Sequence, residues 1–249
     1  MKEQYGRFAY LYDRLMAEVD YLHWVDFIQS IIQEYNINPK EVLELACGTG
    51  NITIPMAERG YRITALDISQ DMLTVAKEKA IESNVHITFI QQNMINFCTQ
   101  HSYEAVICVC DGINYVTNNK QLKSVFANTY KALDENGVFI FDISSYYKLS
   151  SIIANNTFGE SLGDLVYLWQ NFYNDEAALL EMELTFFQED KEGLYRRFEE
   201  YHKQKAHRAD EIVNLLELVG YTDIKVFGDF LLQKPKDNTE RIFFAAKKK

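Results

Sequence analysis

The sequence predicts an α/β fold in which a mainly parallel sheet is covered by helices on both faces, with an antiparallel β meander inserted late in the chain. Between about residues 40 and 145, short apolar segments alternate with segments of helical spacing. The apolar segments are nearly continuous, which is typical of parallel strands buried on both faces. From residue 164 to residue 205, three strand-like stretches follow one another, separated by turn-like sequences.

The elements of the α/β framework can be justified in chain order. Apolar residues at helical spacing, from Trp24 to Ile32, predict a helix over 20–36 that ends at the Asn38-Pro39 pair. Gly60 suits the C-terminal cap of a helix over 49–59. The predicted framework then contains strands 41–46, 61–66, 86–91, 104–109 and 138–143, and helices 49–59, 70–83 and 121–133.

The last third of the chain contains the meander and a return to the framework. The predicted meander strands are 165–173, 178–188 and 194–203. A helix over 209–219 follows, and Gly220 suits its cap. Strands 223–227 and 241–246 lie on either side of a turn at 233–238, so we expect a hairpin that adds one antiparallel strand to the sheet.

Composition favours a cytoplasmic protein with no membrane partner and disfavours, without excluding, a nucleic-acid partner. The chain has 249 residues, 47% of them hydrophobic, which is enough for a substantial core. A formal charge of −11 argues against a nucleic-acid-binding face. We expect no signal peptide and no membrane span, since there is no apolar N-terminal segment and no run of 18 apolar residues. Four cysteines without metal-ligand spacing predict reduced thiols and no metal site. The oligomeric state is expected to be monomer or homodimer.

The segment VLELACGTGN, residues 42–51, is the first chemical signal. A strand that ends in Gly48 and Gly50 and leads into a helix lets backbone N–H groups approach a ligand. A dinucleotide fingerprint needs a third glycine where Thr53 stands, and no P-loop lysine follows. A pyrophosphate is therefore disfavoured, and a smaller, partly zwitterionic ligand fits better.

Further polar residues follow the next predicted strands. Asp67 ends the second strand, where an acid can accept hydrogen bonds from two ribose hydroxyls, and Ile68 can pack on an adenine. Asn93 and Met94 follow the third strand, and Asp111 follows the fourth. These positions share the carboxyl edge of the sheet, where open α/β sheets bind ligands.

Together these stretches resemble the class I S-adenosylmethionine-dependent methyltransferases. The resemblance is carried by ELACGTG at 44–50, LDIS at 66–69 and DML at 71–73. It covers residues 38–145 and 205–249. It implies a Rossmann-like seven-stranded sheet of order 3-2-1-4-5-7-6, S-adenosyl-L-methionine as cofactor, and in-line transfer of a methyl group to a small-molecule acceptor.

The resemblance implies roles for the loop residues. Glu44 holds the loop and faces the amino group of the methionine moiety. Ala46, Gly48 and Gly50 belong to the loop that binds the cofactor, and the two glycines let the backbone run close to it.

It implies further roles at the other strand ends. Asp67 binds the ribose hydroxyls, and Ile68 packs on the adenine. Asn93 and Met94 flank the adenine, although many members have Asp at the position of Asn93. Asp111 begins the wall near the methionine end, and its alternative role is to cap a turn at Gly112.

The N-terminal stretches FAYLYD (8–13) and VDY (19–21) are similar to the lid of small-molecule methyltransferases. This implies a helical lid over 1–37, in which Tyr12 or Tyr21 covers the cofactor. The alternative is plain aromatic packing of an N-terminal helix. Residues 146–204 are expected to form an inserted β subdomain that covers the substrate site.

No catalytic residue is fixed by the sequence, because the sulfonium of the cofactor is already activated and a base is needed only for a protonated acceptor. His202, at the end of the meander, is a candidate base or substrate contact, since imidazole accepts a proton near neutral pH. Tyr115 is a candidate pocket residue, and His207 is a further candidate. The alternative for the two histidines is a packed or solvent-facing side chain, and for Tyr115 it is a place in the core or on the sheet surface.

Other functions remain open from the sequence. One is methylation of RNA or protein. Another is a non-catalytic protein that binds S-adenosylmethionine or S-adenosylhomocysteine. A third is a nicotinamide-dependent oxidoreductase on a similar sheet, which the missing third glycine at Thr53 disfavours.

Overall fold

The computed structural model of the protein describes residues 6–190 and 193–249. Its α-helices are α1 (Gly6–Leu15), α2 (Tyr21–Glu34), α3 (Thr53–Glu58), α4 (Gln70–Glu82), α5 (Asn119–Ala132) and α6 (Ala209–Val219). A 3-10 turn spans Gly112–Tyr115, and a π-helical segment spans Lys148–Ile153. The strands are β1 (Glu41–Leu45), β2 (Arg62–Asp67), β3 (Ile87–Gln91), β4 (Tyr103–Cys108), β5 (Leu133–Ser144), β6 (Thr157–Ser161), β7 (Leu165–Asn174), β8 (Leu179–Glu189), β9 (Tyr195–Lys205), β10 (Thr222–Gly228) and β11 (Arg241–Lys247).

The main sheet has seven strands in the order β3-β2-β1-β4-β5-β11-β10. Strands β1 to β5 are parallel, and β11 runs antiparallel to both β5 and β10. Since β10 and β11 are the sixth and seventh strands of the framework, the predicted order 3-2-1-4-5-7-6 is confirmed. β1 and β4 are neighbours at the point where the chain reverses direction across the sheet, which is where such sheets bind ligands.

Two apolar clusters cover the two faces of this sheet. Leu43 and Leu45 of β1 join one cluster, with α5 and α6. Val42 joins the other cluster, which contains the buried face of α2. Alternate side chains of β1 therefore enter opposite layers, as strand geometry requires. Glu44 shares a face with Val42, so a carboxyl group enters an otherwise apolar layer.

The meander is a separate four-stranded antiparallel sheet in the order β6-β7-β8-β9. Its inner face contributes Leu165 and Phe186 to a cluster with Phe8 and Leu11 of α1 and Met72 of α4. Helix α1 therefore lies between the framework and the meander and packs against both.

Two predicted boundaries and the predicted number of meander strands are wrong. Helix α3 begins at Thr53 rather than at residue 49, because the left-handed backbone at Gly48 and Gly50 extends the turn. The meander has a fourth strand, β6, whose sequence TFGES is exposed throughout and carries no apolar alternation. β5 begins at Leu133 rather than at residue 138, with an irregular register opposite β4 that is typical of a bulge.

Within the described ranges, none of the helices has the length and apolar character needed to cross a membrane.

Candidate functional site

The loop after β1 is shaped by three residues with left-handed backbone conformations. Ala46, Gly48 and Gly50 have φ angles of 54°, 55° and 80°. A Cβ atom on Gly50 would lie 3.3 Å from Cβ of Ala76, so this glycine lets α4 pack close to the loop. A Cβ atom on Gly48 would meet no atom within 4 Å. The backbone at Gly48 therefore borders open space at the carboxyl edge of the sheet.

Asp67 ties the end of β2 to this loop. Its Oδ2 accepts a hydrogen bond of 2.9 Å from the backbone N–H of Gly48, and its Oδ1 accepts one of 2.8 Å from that of Ser69. Burial raises the pKa of this carboxyl, against the opposing effect of the backbone N–H groups. A carboxylate oxygen accepts more than one hydrogen bond, so Asp67 keeps acceptor capacity for a ligand hydroxyl.

Glu44 is a buried acidic residue of the site and is only 2% exposed. Within the described part of the chain, Oε2 of Glu44 and Oγ1 of Thr53 form no hydrogen bond of regular geometry, although the Thr53 hydroxyl lies close enough to lower the pKa of the carboxyl. Burial outweighs this effect and raises the pKa of Glu44 to about 8, and the charge of Asp67 acts in the same direction as burial. Buried polar atoms are normally well paired, so Oε2 keeps acceptor capacity for a further donor.

The adenine-side predictions fall along the same edge. Ile68 is 57% exposed at this edge, which leaves its side chain available for packing on a flat ring. Asn93, which the resemblance places beside the adenine, uses its Oδ1 to accept a 2.9 Å hydrogen bond from the backbone N–H of Ile95. Met94 packs against the core and is only partly exposed.

Asp111 occupies a different setting from the predicted one. It forms an ion pair with Arg241, which also pairs with Asp142, and it accepts a 3.1 Å hydrogen bond from Ser144 Oγ. Burial opposes ionisation of Asp111, but Arg241 holds the pKa of that carboxyl below its usual range. Its side chain does not cap the Gly112–Tyr115 turn. Asp111 is thus engaged in a structural ion pair, and its cofactor contact stays a prediction.

Two tyrosines from the N-terminal segments line the pocket beside the loop. Tyr12 of α1 and Tyr21 of α2 share this pocket with Glu44, Gly48 and Cys110. Burial raises the pKa of Tyr12 well above its usual value and that of Tyr21 to about 12, so both phenols are neutral at physiological pH. The structure brings the N-terminal helices to the same pocket as the glycine loop.

A charged contact that the sequence analysis missed connects α1 to the loop. Oδ1 of Asp13 accepts hydrogen bonds from Oγ1 of Thr49 at 2.6 Å and Nδ2 of Asn51 at 2.9 Å. Oδ2 of Asp13 forms an ion pair of 2.6 Å with Nζ of Lys79, which also donates to Asn51. Asp13 and Lys79 lie 66 residues apart in the chain, so no local pattern signals the pair.

The three candidate residues for the methyl-acceptor side, Tyr115, His202 and His207, lie in two different surroundings. Oη of Tyr115 lies 3.4 Å from Nδ1 of His202, which is 6% exposed on the inner face of the meander. Burial lowers the pKa of His202 to about 4, so its imidazole is neutral at pH 7. His207 is 1% exposed, and its Nε2 lies 3.0 Å from the carbonyl oxygen of Val116, which accepts the hydrogen bond. The structure thus places His207 in the core.

A second residue missed by sequence reasoning joins the two sheets. Asn114 is fully buried, and its amide donates to the carbonyl oxygens of Ser144 at 3.0 Å and Lys205 at 2.9 Å. Its Oδ1 accepts a 2.9 Å hydrogen bond from the backbone N–H of Ser144. Asn114 therefore holds the last residue of β5 beside the last residue of β9.

The described residues include no group of three or more His, Cys, Asp or Glu side chains arranged to hold a metal ion.

Comparison with known proteins identifies the family. Residues 42–137 match the model of a methyltransferase domain. A protein of Geobacillus sp. (strain WCH70), named as a methyltransferase, is 34% identical over 245 residues, which cover 98% of this chain and 99% of that protein. The solved structure of an S-adenosylmethionine-dependent methyltransferase from Clostridium acetobutylicum ATCC 824 is 34% identical, covers 98% of both chains and has a TM-score of 0.88.

The chain is a class I S-adenosylmethionine-dependent methyltransferase.

This methyltransferase shares its fold with more distant proteins. The structure of CalS10, an amino pentose methyltransferase from Micromonospora echinaspora, contains bound S-adenosylmethionine. It is 16% identical to this chain, covers 96% of each chain and has a TM-score of 0.77. The membership rules out the nicotinamide-dependent alternative and sets S-adenosyl-L-methionine as the cofactor.

The residues of the site fit that cofactor. The unpaired Oε2 of Glu44 suits an ammonium group. The open space at Gly48 leaves room for a ligand against the backbone, and the exposed Ile68 offers an apolar surface for a ring.

Proposed function

We propose that this methyltransferase binds S-adenosylmethionine along the carboxyl edge of β1, β2 and β3 and transfers its methyl group to a small-molecule acceptor. The observation that carries the proposal is the buried, unpaired carboxyl oxygen of Glu44 beside the left-handed glycine loop. In this placement Glu44 faces the methionine amino group, Asp67 accepts from the ribose hydroxyls, and Ile68 packs on the adenine.

The cofactor supplies a methyl group on an already activated sulfonium. The residues of this chain therefore have to orient the reactants and exclude water rather than activate the methyl group. Tyr12 and Tyr21 border the pocket as neutral phenols, so they cover it without adding charge. This supports a lid role for the described part of residues 1–37, whereas residues 1–5 lie outside the described ranges.

We place the acceptor between the 3-10 turn after β4 and the inner face of the meander. Tyr115 lies on that turn and faces His202 of β9. A neutral imidazole can accept a hydrogen bond from an acceptor hydroxyl or ammonium group, although a pKa of about 4 makes His202 a weak base. In this arrangement residues 146–204 cover the substrate site, as the sequence predicts.

A small acceptor is favoured over a macromolecule for two reasons. The formal charge of −11 opposes binding to an RNA backbone. Tyr12 and Tyr21 line the pocket from the N-terminal helices, and the meander packs against α1, which favours a covered site over an open groove. CalS10, which shares the fold, acts on an amino pentose.

The test is transfer of a radiolabelled methyl group from S-adenosylmethionine to three sets of acceptors. The sets are small amines and alcohols, including amino sugars; total RNA; and a protein extract. Label in the small-molecule set alone supports the proposal, and exchange of His202 for Gln then changes KM for that acceptor. Label only in RNA or protein overturns it.

We further propose that the protein works in the cytoplasm. Its four cysteines are all free thiols, which is usual in reducing compartments.

A further inference from the structure

Helix α1 is attached to the glycine loop through one carboxylate. Asp13 accepts from Oγ1 of Thr49 and from Nδ2 of Asn51, and both of these residues belong to the turn between β1 and α3. Lys79 of α4 closes the network through Asp13 and Asn51. We call these four residues the α1 latch. It joins three segments that are separate in sequence.

The α1 latch lies at the border of the pocket, where some of its residues line the pocket and others are reached by water. Tyr12, the neighbour of Asp13, lines the pocket, as do Thr49 and Asn51. The side chains of Asp13 and Lys79 are 35% and 26% exposed, so water reaches the pair. Thr49, by contrast, is 1% exposed. Docking of α1 therefore places Tyr12 at the pocket and also holds the side chains of Thr49 and Asn51 in the loop.

We propose that Asp13 is a positioning residue that couples docking of α1 to retention of the cofactor. The inference rests on the proposed placement of S-adenosylmethionine at the glycine loop. With α1 docked, Asp13 holds Thr49 and Asn51 in one arrangement, and Tyr12 closes over the pocket. With α1 displaced, the loop loses both restraints and the pocket opens.

Coupling of this kind is reciprocal. If docking of α1 strengthens cofactor binding, cofactor binding must stabilise docked α1 by the same factor. The prediction therefore has two independent readouts, the lifetime of the bound ligand and the protection of α1.

The remaining contacts of α1 make the latch testable without unfolding the helix. Phe8 and Leu11 pack in an apolar cluster with Met72 and Val75 of α4. Arg14 forms an ion pair of 2.6 Å with Asp164, next to the meander. Loss of the Asp13 carboxylate should thus weaken the restraint on the loop while α1 keeps its packing.

The experiment measures association and dissociation rates of S-adenosylhomocysteine for the wild type, Asp13→Asn, Lys79→Met and the double variant. Asp26→Asn is the matched control, since Asp26 lies on α2 with its side chain 64% exposed and forms an ion pair with Arg59 at the end of α3. We expect Asp13→Asn to dissociate at least about fivefold faster, the lower end of typical coupling between sites. Lys79→Met should act in the same direction and the double variant less than additively, because both act on one network.

Hydrogen exchange provides the second readout. In the wild type, S-adenosylhomocysteine should slow amide exchange across α1, and in Asp13→Asn this slowing should be reduced. If Asp13→Asn does not fold, Lys79→Met carries the same two measurements. Dissociation rates and α1 protection equal to those of Asp26→Asn would overturn the inference. Asp67→Ala, measured in the same series, separates the two claims, because wild-type binding by that variant overturns the cofactor placement instead.

Discussion

At the residue scale, Glu44 is the buried group that we propose to be adapted to a ligand. Its carboxyl enters an apolar layer, where burial raises its pKa to about 8. In the protein without a ligand the group is therefore largely protonated at neutral pH. An ammonium group placed against Oε2 favours the carboxylate, so binding couples to proton release. We expect the free-energy cost of burying the Glu44 carboxylate to be offset when a ligand ammonium group donates to it.

This leads to a prediction for Glu44→Gln. A carboxyl with a higher pKa in the folded protein than its ordinary 4.5 stabilises the fold below pH 4.5 and loses that contribution as pH rises through 8. The difference in unfolding free energy, variant minus wild type, should therefore increase between pH 5 and pH 8.5. Chemical denaturation without ligand at both pH values measures it.

The control for this experiment is Glu104→Gln. Hydrogen bonds from the backbone N–H groups of Lys40 and Glu41 lower the pKa of Glu104, so its contribution changes only below about pH 4.5. Its difference from the wild type should be flat between pH 5 and pH 8.5. A flat profile for Glu44→Gln as well would show that Glu44 is ionised in the free protein.

The two glycines of the loop should respond differently to alanine. The Gly50→Ala variant would carry a side chain at a φ of 80° and in close contact with Ala76. It should therefore lower the unfolding free energy by about 3 kcal/mol. Gly48→Ala has a φ of 55° but open space, and should cost about 1 kcal/mol. Urea denaturation ranks them, and a larger loss for Gly48→Ala would contradict the packing argument. Gly48→Ala should instead weaken binding of S-adenosylhomocysteine, because its methyl group points into the ligand space.

At the scale of elements, the site depends on how helices and sheets are joined. Asn114 connects the 3-10 turn after β4 with the ends of β5 and β9. It is therefore the point at which the meander is held against the main sheet. An amide is suited to this position because it donates two hydrogen bonds and accepts others from one planar group.

Asn114→Ala should lower the unfolding free energy by about 3 kcal/mol, since it leaves buried backbone groups unpaired. Asn128→Ala is the control, because its amide makes a single, partly buried hydrogen bond to the carbonyl oxygen of Ile95. The control should lose about 1 kcal/mol. Equal losses in the two variants would show that Asn114 does not hold the junction.

The sequence predicted elements well where the signal was local. The glycine loop, the acid at the end of β2 and the closing hairpin all follow from residues near one another in the chain. β6 could not be predicted, since TFGES has neither apolar alternation nor β-branched character beyond Thr157. Its position comes from pairing with β7, which is a tertiary effect.

Long-range polar contacts also could not be predicted from the sequence. Asp111 was assigned to the cofactor because it follows β4, but its partner Arg241 is 130 residues away. Asp13 was overlooked because Lys79 lies on another helix. In the sequence, Asn114 lies between Ile113 and Tyr115 and belongs to no recognisable motif. Such contacts become visible only when strand order has brought distant residues together.

For the whole molecule, a seven-stranded sheet presents the carboxyl edge of its central strands, and two elements outside the sheet, helix α1 before it in the chain and the meander after β5, pack together. Helix α1 and the meander share one apolar cluster, so movement of either affects the other. The acidic character of the chain is compatible with a cationic cofactor and a small acceptor. We propose that the fold is organised around a pocket at the carboxyl edge of the central strands, covered by these two elements.

The most direct test of this account is calorimetric titration of S-adenosylhomocysteine into the wild type and Asp67→Ala, with Asp26→Ala as the control. We expect Asp67→Ala to bind more than about tenfold more weakly, a loss of about 1.4 kcal/mol that matches a charge-assisted hydrogen bond. Asp26→Ala should bind as the wild type does. Wild-type affinity in a folded Asp67→Ala variant would contradict the placement of the cofactor at this edge.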